Sequence, residues 1–581
     1  MKQRRSFIRS EAARGRPSSA CGTFSPPSGE KADKARAAQA LLPLAPLAGR
    51  GCRRRVRGAL ALLLLAATSL LGAERRRTIA PLPDATCPIA PAVCTEGGAG
   101  FAPLAPAEVT NIVNAAAAAL DVNTATIAVV DRTGRPLALF RQTAANPAND
   151  DQAIGVARTA AFFSHNMAPL SSRTVRFISG IHFPPGIDDA SNAALYGIEN
   201  TNRGCSFNVT FNAGKCIDPA TSVSGGPGPG IITGKIQPND SDPASVNAGG
   251  IPIYRDGKLV GGIGVVGIAG DPQLAEFAAV SGSLAGFLPV PVFPLPFPGN
   301  VFIDGIRLPF VGPDIKITSS GLERLNGTHA GNTSGSFIIT PQAGTCAPNE
   351  YLVGPKAGTI SAADVDAIVQ RAIAKAKRTR GAIRLPLNSY ARMVIAVADL
   401  DGSILAIYRM PDATVFSIDV AVAKARNVIY FSTNTTDLPG IAAGTAVTNR
   451  TIGFGAQPLF PPGISSNAFD VRTGPFYALF LKDLANPCTQ GSQTPNANQN
   501  GIVFFPGASP LYANGKLAGG LGVSGDGVEQ DDYVTVAGAG PFLPPESSWA
   551  DRIKIDGVRL PMFKYPRHPE GVTECDGGPC S

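Results

Sequence analysis

Arg141 and Arg409 each follow an aromatic residue at the end of an apolar run, and Arg158 and Arg426 each close an alanine-rich run. A guanidinium is a planar fork of donors that matches a carboxylate, so such groups around a pocket would clamp a small organic acid or another carboxylate-bearing ligand. The competing use is internal pairing with Asp131, Asp151, Asp399 or Asp419, which recur beside them. Lys424 stands where the first copy has Val156, so it is either a ligand contact of one copy or a solvated charge. Gly261-Gly262 and Gly519-Gly520 fall inside apolar runs that read as strands. Glycine weakens a strand unless something must approach its backbone, either a neighbouring helix or a bound ligand. Arg141, Arg409, Arg158, Arg426, Gly262, Gly520 and Lys424 therefore form the candidate ligand-binding set.

Other chemistries have less support. The chain has no P-loop, no G-x-S-x-G elbow and no H-E-x-x-H. No catalytic residue is assigned, and whether the chain is an enzyme stays open. Four histidines are too few for a histidine-built metal centre. Cys87, Cys94, Cys205, Cys216, Cys346, Cys488, Cys575 and Cys580 lie beyond residue 73, an even set without a Cys-x-x-Cys pair. They read as disulfides; sequence proximity pairs Cys87 with Cys94, Cys205 with Cys216 and Cys575 with Cys580, leaving Cys346 with Cys488.

The elements that must carry these residues occur twice. IAVVDRTGRPLALFRQTAANPANDDQAIGVAR (Ile127–Arg158) aligns without a gap with IAVADLDGSILAIYRMPDATVFSIDVAVAKAR (Ile395–Arg426). Each is an apolar run ending in Asp, a turn with Gly134 or Gly402, a second run, and a helix opened by Asp and closed by Arg, which suits the helix dipole. The pattern predicts a hairpin followed by an amphipathic helix. A helix precedes each unit: PAEVTNIVNAAAAAL from Pro106, and AADVDAIVQRAIAKAK after a capping Ser361. Later, GIPIYRDGKLVGGIGVVG (Gly250–Gly267) matches ASPLYANGKLAGGLGVSG (Ala508–Gly525), with Asp-Gly and Asn-Gly as hairpin turns. Between the hairpins lie RTVRFISGIHFPPGI and RTIGFGAQPLFPPGI, read as irregular, and polar insertions of about 188–247 and 465–499. A helix and a last strand, FIDGIRLPF or KIDGVRLPM, close each copy. The expected fold is α+β: two tandem similar domains, each an antiparallel sheet of two hairpins packed by helices, with long loop insertions.

The N-terminus sets the compartment. RRRVRGALALLLLAATSLLGA (Arg53–Ala73) has a basic start, a short apolar run and small residues at its end, the form of a signal peptide and too short for a comfortable membrane span. Residues 1–73 hold 14 Lys and Arg against 3 Asp and Glu, so the remainder of a chain of net charge +8 is weakly acidic. That gives no reason to expect nucleic acid or a stable membrane span after processing. The expected organisation is 1–73 targeting segment, 74–103 Pro/Ala-rich leader, 104–317 first domain, 318–359 linker, 360–565 second domain and 566–581 tail. The mature protein is expected to be periplasmic or extracellular.

The order of elements, with DGSILAIYRM, DVAVAKAR, NGKLAGGLGVSG and EQDD in the second copy, resembles the GlcG/HbpS-like family of haem-binding or haem-degrading proteins. The resemblance covers roughly Pro106–Gly282 and Ser361–Gly540 without the insertions. It implies haem as cofactor or ligand and assembly into homo-oligomers. A haem iron takes an axial donor such as His or Tyr in an apolar pocket. His165, in AFFSHN, is the candidate for that role, with Tyr430 as alternative; the plainer reading of His165 is a helix cap or surface residue. Three functions stay open: a secreted protein binding haem or a small carboxylate ligand, an enzyme acting on haem or a small organic acid, and a structural envelope protein without ligand.

Overall fold

Proline at the first position and Glu108, whose carboxylate accepts the Ala105 N–H at 2.7 Å, start helix α1 (Pro106–Ala118), which buries Val109, Ile112 and Val113. The computed structural model describes residues 102–187, 193–202, 247–285, 300–318, 321–324, 331–344, 352–464, 471–486, 488–496, 498–575 and 578–579. All of these belong to one unit, Ile79–Ser581. The expected signal segment, most of the leader and six of the eight cysteines (Cys87, Cys94, Cys205, Cys216, Cys346, Cys580) lie outside the described residues. Cys488 and Cys575 are both disulfide-bonded.

The first repeat continues with β1 (Thr126–Asp131), β2 (Pro136–Gln142), α2 (Asp150–Phe163), α3 (Ser172–Ser179), β3 (Gly250–Arg255), β4 (Lys258–Val266) and α4 (Pro272–Ser283). A further strand, β5 (Gly335–Ile339), completes an antiparallel sheet of order β3-β4-β1-β2-β5. The second repeat runs α5 (Ala362–Ala376), β6 (Met393–Ala398), β7 (Ile404–Arg409), α6 (Phe416–Thr433), α7 (Asn449–Gly455), α8 (Tyr477–Ala485), β8 (Ala508–Ala513), β9 (Lys516–Gly525) and α9 (Val528–Ala539). Its sheet has the order β7-β6-β9-β8. The fold is α+β, as expected. Both closing hairpins form; Asp256 and Gly257 have φ of 49° and 73°, and Asn514 and Gly515 have 52° and 75°, the signature of type I′ turns.

Each sheet is covered on both faces, because alternate strand residues enter different cores. Ile127 and Val129 of β1 join α1 and α4 in one cluster. Ala128 and Val130 join α2 in another, and that cluster also takes in Val394, Ala396 and much of α6 from the second repeat. The two repeats thus share one core through their central helices. The Phe163 and Phe416 rings stack at 4.1 Å, and the Val415 N–H donates to the Phe162 carbonyl at 3.0 Å. Here the structure corrects the sequence reading. The central helices are not amphipathic with a wet face: every residue of α6 from Phe416 to Ser432 is buried. A helix buried all round needs cover on its second side, and the other repeat supplies it.

Three further differences follow from local chemistry. The expected last strands are two-residue-arm hairpins, Phe302–Ile303 with Ile306–Arg307 and Lys554–Ile555 with Val558–Arg559, because Asp-Gly turns reverse each chain. The stretches expected to be irregular open with short helices, capped by Ser171 in α3 and Thr448 in α7. The 318–359 stretch, expected as a linker, is partly built into both sheets. Its β5 pairs with β2, and farther along Val353 bridges Ile407 while the Lys356 N–H donates to the Leu405 carbonyl on β7. The opposite edge strands, β3 and β8, carry Pro252 and Pro510, which remove a donor where a neighbour would add a strand.

Candidate functional site

The paired glycines serve helix packing. A Cβ at Gly262 would overlap the carbonyl oxygen of Ala157 on α2, and one at Gly520 would overlap that of Ala425 on α6. Of the two readings of these glycines, a neighbouring helix or a bound ligand, the helix backbone fills the space. Gly520→Ala should therefore destabilise the ligand-free protein by about 1–3 kcal/mol, the usual cost of overpacking. Chemical denaturation without ligand checks this, and an unchanged midpoint would return the glycines to the ligand.

The arginines are engaged inside the fold. Arg158 Nε donates to the Gly134 carbonyl at 2.7 Å, and Arg426 Nε to the Gly402 carbonyl at 2.9 Å, so both pin the turn of the opening hairpin onto the central helix. Arg426 also donates to Asn500 Oδ1 at 2.9 Å, and burial lowers its pKa to about 9. Arg141 meets Asp150, one residue before the expected Asp151, as a two-pronged ion pair with Nε–Oδ1 at 2.8 Å. Arg409 is buried and donates to the Ala413 carbonyl. These groups do not converge on a common ligand.

Lys424 is neither solvated nor open to a ligand. It is wholly buried, donates to the Val523 carbonyl at 2.8 Å and to Asp531 Oδ2 at 2.9 Å, and stands 5.0 Å from the centre of the Phe505 ring. Burial lowers the Lys424 pKa and pushes the Asp531 carboxyl up to about 7. Beside them Arg450 Nε meets Asp532 Oδ2 at 2.5 Å.

His165 is neither a helix cap at the surface nor a pocket residue. It has no exposed area and sits where the repeats meet. Its Nδ1 accepts the Met167 N–H at 3.2 Å and lies 3.9 Å from Asp412; its Nε2 lies 3.8 Å from Asp526. An iron at Nε2 would have to displace the Asp526 carboxylate, so His165 does not fit an axial ligand here. The alternative donor, Tyr430, gives its hydroxyl proton to Asp437 at 2.7 Å. Among the described residues no cluster of three or more His, Cys, Asp or Glu is placed to hold a metal ion, and no helix is long and apolar enough to cross a membrane.

An open concavity lies elsewhere, on the segment around the last hairpin. A groove of about 470 Å³ is lined by Trp549, Asp551, Arg559, Leu560, Pro561, Met562, Phe563 and Tyr565. That volume falls in the range of small-molecule sites. The segment is fixed from below: Thr448 Oγ1 donates to the Met562 carbonyl at 2.8 Å, and Thr451 Oγ1 to the Pro561 carbonyl at 2.7 Å. Leu560 and Met562 are buried, Trp549 and Phe563 pack edge to face at 5.6 Å, and Tyr565 is 46% exposed. Arg559 is held at the rim, its Nε on the Asp551 carbonyl and Nη2 on Asp551 Oδ2, both at 2.7 Å. Sequence reasoning missed this groove. Its signal was the chain's single tryptophan followed closely by Phe563 and Tyr565 around the repeated RLP motif.

The fold and these sites define a duplicated α+β protein whose halves share a core. Residues 104–279 and 360–540 each match the model of the haem degrading protein HbpS-like family, and together these matches take in more than half of the chain. The chain belongs to the HbpS-like family, with two copies of its domain in tandem. Solved structures similar to it include a haem complex of PduOC, at 21% identity over 31% of this chain and 92% of that one, TM-score 0.21. ORFY from Klebsiella pneumoniae is 23% identical over 31% and 88%, TM-score 0.21. A double mutant of HbpS from Streptomyces reticuli is 22% identical over 34% and 97%, TM-score 0.20. No curated protein matches the chain.

Proposed function

We propose that this protein binds haem, or a similarly flat carboxylate-bearing molecule, in the groove between Trp549 and Tyr565. Family membership supplies the ligand class, and the observation that carries the location is the groove itself. It offers apolar walls from Trp549, Leu560, Met562 and Phe563, an arginine fixed at the rim, and a half-exposed phenol. In this reading Arg559 would hold a carboxylate and the Tyr565 hydroxyl would offer the metal an oxygen donor. The groove lies beyond residue 540, outside the family-matched residues. The Arg53–Ala73 pattern supports export, and the remaining cysteines are proposed to pair as expected from their spacing.

The test is a haem titration of the mature chain. A saturable change in the haem absorption band is expected, with quenching of Trp549, the only tryptophan. Arg559→Ala should weaken binding by about 1.5–3 kcal/mol, the worth of a hydrogen bond to a charged group. Tyr565→Phe should shift the band. The absence of any saturable change would remove the haem reading; saturable binding that leaves Trp549 unquenched would remove the groove.

A further inference from the structure

We infer that the junction between the two repeats is a latch that acid releases, with His165 as the group that takes up the proton. The junction is a buried cluster to which each repeat contributes. Arg132, from the β1–β2 turn, places Nη2 3.2 Å from Asp412 Oδ1, and the Asn166 N–H donates to the same oxygen at 3.0 Å. Arg384 bridges two carboxylates, with Nη1 2.7 Å from Asp412 Oδ2 and Nε 2.5 Å from Asp526 Oδ2. His165 lies between those carboxylates, its Nε2 buried and making no hydrogen bond among the described residues. From β3 the Tyr254 hydroxyl donates to the His165 carbonyl at 2.8 Å.

Charge balance makes this arrangement sensitive to acid. Among the described residues, the charges of Arg132 and Arg384 face those of Asp412 and Asp526, and a neutral His165 adds none. A proton on the imidazole adds a charge at a position with no exposed area. Burial, and next the Arg384 charge, lower the His165 pKa to about 4 from its ordinary 6.5, although Asp526 and Asp412 pull the other way. The sign follows. A chain opened at the junction binds the proton below about pH 6.5, whereas the closed junction resists it until about pH 4. Closure is therefore favoured above that window and loses ground as pH falls through it. Asp412 does not offset this: burial opposes its charge, but Arg384 and Arg132 outweigh burial and hold its carboxyl below the usual range.

The device belongs to the tandem arrangement and not to the repeated unit. The aligned counterparts of Arg132, His165, Asp412 and Asp526 are Leu400, Thr433, Ala144 and Ile268. The polar set exists only where the first repeat, in this order, meets the second. The contacts that would be lost are those holding the central helices together, the Phe163–Phe416 stack and the Val415-to-Phe162 hydrogen bond.

Small-angle scattering of the full mature chain between pH 7.5 and pH 4 tests the latch. The maximum dimension should grow as pH falls through the window between 6.5 and 4, and the growth should reverse on neutralisation. His165→Gln, which cannot take the proton, should stay compact to the lower end of that window. Dimensions that never change, or that grow equally in His165→Gln, would overturn the proposal. A second measurement does not depend on that variant folding. In histidine-labelled protein at pH 5.5, one imidazole must remain neutral in the closed chain. If all four titrate near their ordinary value while the chain is compact, His165 is not the sensor.

Discussion

Arg384→Ala should lower the unfolding free energy by about 3–5 kcal/mol, the cost of leaving buried charge without its partner. This guanidinium serves two carboxylates, Asp526 and the Asp412 that Arg132 also meets. Arg384 bonds Asp412 and Asp526 together and also donates to the Asp412 carbonyl at 2.9 Å. Burial works against its charge, but the two aspartates outweigh burial and raise its pKa. Arg384→Lys should recover only part of the loss, because a single ammonium cannot reproduce a planar fork that spans two acids. Denaturant unfolding at neutral pH measures both variants. A loss under about 1 kcal/mol for Arg384→Ala would mean that the junction is wetter than the structure shows.

Lys424→Met should cost about 3–5 kcal/mol at neutral pH, for the same reason. The pH dependence gives it a signature of its own. Asp531 is already pushed up to about 7 with Lys424 beside it, burial being the main cause. Without the cation its carboxyl is held neutral to still higher pH. A carboxyl whose folded pKa is raised stabilises the folded chain most below its unfolded value, near 3.9, and that contribution is lost as pH rises towards the folded value. The deficit of Lys424→Met should therefore widen as pH rises above about 7, where Asp531 ionises in the native chain but stays neutral in the variant. The double variant Lys424→Met with Asp531→Leu should regain most of the stability, since a buried ion pair can be replaced by apolar residues of similar volume at little cost. A double variant no more stable than the single one would show that Lys424 has a role beyond neutralising Asp531.

Much of the fold was legible in the sequence because its signals are local. Asp256-Gly257 and Asn514-Gly515 dictate their turns through φ values that few other residues accept, and Ser361 caps its helix with its own hydroxyl. The gapless match of Ile127–Arg158 with Ile395–Arg426 announced the duplication. What sequence could not show is how one copy covers the other. The central helices read as amphipathic because nothing local says that their second face meets another sheet's core. Arg384 drew no notice, since Asp412 and Asp526 come to it only through tertiary packing. The repeated arginines were conspicuous for a structural reason: Arg158 and Arg426 tie the same turn to the same helix in both copies. Repetition within a chain preserves what the fold needs, while the candidate groove draws on Phe563 and Tyr565, which align with Val311 and Pro313 at the first RLP motif.

The placement of β5 has a consequence for the nascent chain. The outer edge of β2, which ends at Gln142, receives its partner only when Gly335–Ile339 has been made. At synthesis rates of about 5–20 residues per second, the wait is on the order of ten seconds or more. Through that interval the β1–β2 hairpin, joined by β3 and β4 once Val266 is made, carries an unpaired row of backbone donors and acceptors, a template on which a neighbouring polypeptide can add a strand. A ribosome halted before Gly335 displays that bare edge; one halted after Ile339 has emerged from the exit tunnel does not.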